Sequence, residues 1–287
     1  MELLDLVSVV LRAGAFIATL QAAGLAWFLV PCRGAGAAAM ASVNRLLRIS
    51  ALLALVLVVT HRGLDAGRLA GEWSGVLDPH LQGMVWSRRP GLSSIVCALG
   101  LLMLLIASAG RSIRWAGYAG TVGALGVAGS FALTGHTTEA SHAVALRALV
   151  AVHVGLAAYW IGAVAGLYRL TRRSNLRAVA NAAARFSATA VWLVPVILPA
   201  GALLIWGLIP DLAALYSVYG GLLLAKALGF GGLILLAARN RRRRVPALVT
   251  GAPGSMQSFQ RVLCAEYILL CGVLSVTATM TALFSWQ

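Results

Sequence analysis

The chain has 287 residues, of which 60% are hydrophobic and only 11% charged, with a mean hydropathy of +0.89. A soluble domain carries about 25% charged residues, so the composition excludes an ordinary soluble protein. The net charge of +15 does not imply a nucleic-acid partner, because the basic residues fall in short segments between apolar runs, where they orient a membrane chain.

Eight apolar runs follow one another, at about 5–30, 45–61, 90–109, 113–134, 143–168, 187–209, 215–238 and 260–285. A membrane-spanning helix needs about 20 such residues. The runs are too long and too uniformly apolar for the alternating strands of a barrel. They predict an all-α fold: a polytopic membrane helix bundle of about eight transmembrane helices, forming a single transmembrane domain over 1–287. The chain opens with Glu2 and Asp5 instead of a basic region, so its first run reads as a span and not as a signal peptide.

The connections carry the orientation. One set holds Arg33, Arg45, Arg48, Arg111, Arg114, Arg169, Arg172, Arg173, Arg177, Arg185, Arg239 and Arg241 to Arg244, with Arg261 just inside the last run, sixteen in all. The other set holds five: Arg62, Arg68, Arg88, Arg89 and Arg147. The richer set belongs in the cytoplasm, which predicts that both termini are periplasmic. His61, His80, His136 and His142 then fall at or near the outer surface. The longest outer connection runs from Arg62 to Arg89 and reads as a lid or binding loop, with His61 and His80 as solvated loop residues.

Ionisable residues inside spans are costly and mark function by default. His153 lies in the fifth run, about 15 Å from its start at 1.5 Å per residue. His136 precedes it on a different helix and is the better partner. His142 shares a face with His153, but about 16 Å separates them along the axis. Imidazoles suit copper, zinc, iron and nickel, and a thioether such as Met84 suits Cu(I). The plainer role for His153 is helix packing through a neighbouring hydroxyl or carbonyl.

Arg12, Lys226 and Glu266 are the other charges within spans. Lys226 and Glu266, on consecutive runs, are expected to form a structural ion pair, with a proton or ion relay as the sharper alternative. Cys32, Cys97, Cys264 and Cys271 form no CxxC and imply no disulfide framework or zinc ribbon. Pro195 and Pro199 are expected to kink the sixth run. Gly117, Gly120, Gly123, Gly126 and Gly129 make a stripe that permits close helix packing. There is no Ser/His/Asp arrangement, phosphate loop or nucleotide motif, so no enzyme is predicted.

Several separated pieces carry a resemblance. They are Gln82-Gly83-Met84-Val85-Trp86 with Arg89, Thr134-Gly135-His136, His153 followed by Trp160-Ile161-Gly162, and Arg185-Phe186-Ser187. Tyr219-Gly220-Gly221-Leu222-Leu223-Leu224-Ala225-Lys226, Asn240-Arg241, Ala265-Glu266 and Val276-Thr277-Ala278 follow. In order, spacing and coverage these resemble the copper resistance protein D (CopD) family of bacterial inner-membrane proteins. Gly221 stands where the family often has Arg. The resemblance implies copper, as Cu(I) or Cu(II), moved across the inner membrane beside a separate periplasmic copper chaperone. It raises His136 and His153 as ligand candidates and makes Lys226 and Glu266 family features. Two other readings stand beside it. One is a haem-binding membrane electron carrier with histidines from facing helices; the other is a structural or assembly protein of the membrane.

Overall fold

The computed structural model describes residues 3–31, 36–110, 113–134, 143–208 and 216–283, and among them it consists of helices joined by short turns, with no strand. In chain order the helices are α1 (Leu3–Leu29), α2 (Ala37–Ala70), α3 (Pro79–Ser87), α4 (Arg89–Ala109), α5 (Ile113–Ser130), α6 (Ala143–Arg173), α7 (Leu176–Leu208), α8 (Val218–Arg239), α9 (Val245–Val249) and α10 (Ser255–Leu283). A π-turn over Asn240–Arg244 carries α8 directly into α9. Among the described residues eight stretches are long and apolar enough to cross a bilayer: α1, α2, α4, α5, α6, α7, α8 with α9, and α10. The chain is therefore the multi-pass helix bundle that its apolar runs predict.

The first helix is the centre of the bundle. It packs against α2, α5, α6 and α10, and every residue from Ala18 to Ala26 is buried. A helix that is apolar on all sides belongs inside. Its closest approach is to α6, where Gly24 and Gly162 bring the two main chains together so tightly that a Cβ on either would strike the other's backbone. One turn further on, Gly166 makes room for the ring of Phe28. Lipid tails are as apolar as leucine, so helices in a bilayer associate through such close packing of small residues. The stripe on α5 works in the same way at one point. A Cβ on Gly100 of α4 or Gly123 of α5 would lie 2.8 Å from the other's carbonyl oxygen.

Alternating helices give the bundle two faces. The near face, where α1 begins, also holds the end of α2, all of α3 and the start of α4, joined by Arg68–Asp5 and by Arg62 to Ser94. The far face holds the end of α1 and the start of α7, joined by Arg185 to Pro31.

Two expectations need correction. The second span does not stop at His61; α2 runs on to Ala70. The polar stretch stays helical because Arg62 and Arg68 reach Asp65 one turn away, at 2.6 and 3.5 Å, and Arg68 reaches Asp5 on α1 at 3.2 Å. Nor is the segment up to Arg89 an open loop. Gly71, at φ 76°, ends α2, and Asp78 caps α3 by accepting from the His80 and Leu81 amides at 2.8 and 3.3 Å. Gln82 then donates to the carbonyls of Gly63 and Val76, at 2.9 and 2.7 Å, closing this segment into a folded cap. In α7 the helix continues through both Pro195 and Pro199. Each proline lacks an N–H, so the carbonyls of Val191 and Pro195 lose their ladder donors without ending the helix.

Candidate functional site

His153 sits on α6, ten residues after Ala143. Its ring lies against α7: a Cβ on Gly201 would be 3.4 Å from its Cε1, and the Ile197 carbonyl is beside it. Nδ1 is buried and makes no well-aligned hydrogen bond among the described residues. Lys226, from α8, is the charged group within electrostatic reach of the ring. Two residues read as important from sequence are thus within electrostatic range of one another, although the sequence pairs Lys226 with a different group.

The other candidate ligands are placed less closely. His136 and His142 lie outside the described residues. Met84 is half-buried on α3, which packs on α2 and α4, away from the α7 and α8 residues around His153. Among the described residues no group of three or more His, Cys, Asp or Glu side chains is arranged to hold a metal ion. His153 is therefore the one described member of the candidate set His136, His142 and His153.

His61 is not a solvated loop residue. It is buried at 7% exposure on α2, with Nε2 3.3 Å from the hydroxyl of Ser8. Its length of α2 carries Arg62, Asp65 and Arg68, and Asp65 is the carboxylate within electrostatic range of Arg12 on α1, whose guanidinium is 5.7 Å from the Phe16 ring. Arg12 thus finds its counter-charge on another helix. His80 is exposed on α3, as the sequence suggests.

Lys226 and Glu266 do not form an ion pair within 4 Å among the described residues. Glu266 is buried at 1% exposure and accepts from the Asn240 amide at 2.5 Å. The registry of α8 on α10 explains this. Gly229 faces Val273 and Gly232 faces Leu269, so Lys226 lies opposite residues of α10 well past Glu266. A polar chain that sequence reasoning missed crosses the middle of the bundle. Tyr267 donates to Gln21 at 2.5 Å, and Gln21 donates to Ser50 at 2.6 Å. The available signal was Gln21 itself, an amide inside the most buried span.

Charge is distributed unequally between the faces. The three ion pairs found among the described residues all lie on the near face. Far-face arginines donate instead to neutral oxygens. Arg48 reaches the Ser108 carbonyl at 2.5 Å, Arg185 the Pro31 carbonyl at 2.6 Å, Arg241 the Ser187 carbonyl at 2.8 Å, and Arg244 the Ser258 hydroxyl. Of the five carboxylates among the described residues, Asp5, Asp65, Glu72 and Asp78 belong to the near face, and the fifth is the buried Glu266.

Two family models match the chain: copper resistance protein D over residues 180–280, and copper resistance protein D-like, N-terminal domain, over residues 3–143. His153 and Trp160-Ile161-Gly162 lie in the stretch between them. No curated protein and no solved structure matches the chain. Two matches in this order, on a bundle of eight membrane-competent helices, place the chain in the copper resistance protein D family.

Proposed function

We propose that the protein moves copper across the bacterial inner membrane, from a histidine site on the near face. In this reading the near face and both termini are periplasmic and the far face is cytoplasmic. The arginine distribution of sixteen against five supports that orientation.

The observation that carries the proposal is the buried Nδ1 of His153 inside a span, which makes no well-aligned hydrogen bond among the described residues. Leaving a buried polar atom unmade costs about 1–3 kcal/mol. That cost is offset if the ring takes a ligand. His136 and His142, in the connection that leads into α6, supply further imidazoles. Two nitrogens serve Cu(I), and Cu(II) takes additional oxygen or nitrogen donors. Met84 belongs with the folded cap on the same face, where a soft thioether suits first contact with Cu(I). Copper would arrive from a separate periplasmic chaperone.

Lys226 gives the site its character. An ammonium within reach of the ring lowers affinity for any cation held there. That suits a site which passes metal on over one which stores it. Imidazole must also be neutral to bind, so protons compete with the metal for the ring.

The test is copper affinity of the purified full chain and of the His136→Ala/His153→Ala double variant. We expect the double variant to lose high-affinity copper. Unchanged affinity would remove the site assignment.

A further inference from the structure

A second feature lies at the other end of the bundle. A groove of about 560 Å³ runs between α1, α5, α6 and α7, within the range of about 300–1,000 Å³ typical of ligand pockets. Trp27 and Pro31 of α1, Tyr159 of α6, and Thr189, Trp192 and Val196 of α7 line it. The lining is almost wholly apolar. Trp192 and Val196 are 77% and 48% exposed, and they sit on a membrane-spanning helix, so the groove opens towards lipid.

Its register on α7 is specific. Thr189, Trp192 and Val196 continue a stripe that begins with Arg185, at steps of four, three and four residues. That spacing keeps all four on one face of a helix. Arg185 is exposed and stands at the far-face end of the stripe. It is tied to the groove's own wall, donating to the Pro31 carbonyl at 2.6 Å, and its carbonyl accepts from Thr189 at 3.2 Å. From Arg185 to Val196 the helix rises about 16 Å, close to half of the roughly 30 Å hydrocarbon core.

We infer that this groove binds one anionic phospholipid of the far-face leaflet, its acyl chain along Thr189, Trp192 and Val196 and its phosphate on Arg185. The apolar length matches one leaflet. The guanidinium sits where a headgroup would lie, and one of its five donors is used among the described residues. Charge complementarity favours an anionic headgroup, because among the described residues no carboxylate other than the buried Glu266 lies away from the near face. Basic pockets between helices on one membrane side commonly hold such headgroups.

The experiment titrates the purified full chain in mild detergent with phosphatidylglycerol or phosphatidylcholine of identical acyl chains, and with glycerol phosphate. Retained lipid is read by native mass spectrometry. We expect a one-to-one phosphatidylglycerol adduct, about tenfold weaker retention of phosphatidylcholine, and no binding of glycerol phosphate. Arg185→Gln should remove the preference between the lipids. Val196→Trp, which fills the groove, should weaken both while circular dichroism stays helical. The exposed Arg242→Gln/Arg243→Gln pair should behave as the unaltered chain does. Equal retention of the two lipids by the unaltered chain overturns the inference. So does an Arg242→Gln/Arg243→Gln effect as large as that of Arg185→Gln, which would reduce the preference to overall charge. Binding of glycerol phosphate alone would dismiss the acyl-chain groove.

Discussion

Glu266 of α10 and Asn240 at the end of α8 meet inside the bundle, with the Asn240 amide donating to the carboxyl at 2.5 Å and its own Oδ1 left buried and unpartnered. The pair joins two helices that otherwise meet through apolar side chains and glycines. A glutamine at position 266 would accept from Asn240 and also give its Oδ1 a donor. Glu266→Gln should therefore leave thermal stability unchanged or slightly higher. Glu266→Leu strands both Asn240 atoms and should cost about 1–3 kcal/mol, read as a lower unfolding temperature in micelles. A glutamine variant as unstable as the leucine variant would show that negative charge itself holds the junction.

Gly162 should be among the least replaceable positions. With α1 and α6 backbones in contact there, Gly162→Leu must push the helices apart. The cost should exceed the about 1–3 kcal/mol usual for an overpacked core. Gly129 has nothing within 4 Å of its notional Cβ, so Gly129→Ala should be tolerated. Yields of monodisperse protein after solubilisation compare the two directly.

Tyr267→Phe removes the donor to Gln21 and leaves the amide oxygen unmet in the core. Interhelical hydrogen bonds in bilayers average only about 0.6 kcal/mol, but an orphaned buried acceptor adds to that loss, so about 1–2 kcal/mol is expected. Combining Tyr267→Phe with Gln21→Leu should recover part of it. A double-mutant cycle in thermal unfolding gives the coupling.

His61 and His153 separate structure from cargo. Replacing His153 by Ala should weaken copper binding by more than the roughly 10–100-fold that follows loss of a residue merely orienting a ligand. His61→Ala should leave copper affinity unchanged and lower stability, since His61 is buried against Ser8. Isothermal titration with each variant distinguishes them.

Removing the ammonium near His153 should tighten cation binding. Lys226→Met is expected to raise copper affinity by about tenfold, whereas Lys226→Arg keeps the charge and should not. Equal affinities in both variants would mean that Lys226 exerts no field on the site.

Much of this architecture is readable from run length alone, because a bilayer demands about 20 apolar residues per crossing. The eight spans and the close contact of α5 at Gly123 follow from that and from small-residue spacing. The extension of α2 does not, because hydropathy reads His61, Arg62, Asp65 and Arg68 as loop. Only the partners at one-turn spacing, and Asp5 on another helix, keep that stretch helical. Lys226 and Glu266 were paired by adjacency of their helices, but side-chain partners depend on axial register, which sequence does not print. Of the candidate site, His153 was found as a costly ionisable group in a span, while His136 and His142 lie outside the described residues. The tie between Gln21 and Tyr267 was invisible because it joins residues 246 positions apart.

That tie also bears on biogenesis. α1, around which other described helices pack, leaves the ribosome before α10, and one of its hydrogen bonds waits for that helix. Between those events the Gln21 Oε1 of α1 waits in the bilayer without its Tyr267 donor. A nascent chain truncated before α10 should therefore be a ready substrate for membrane proteases, however well its earlier spans have inserted.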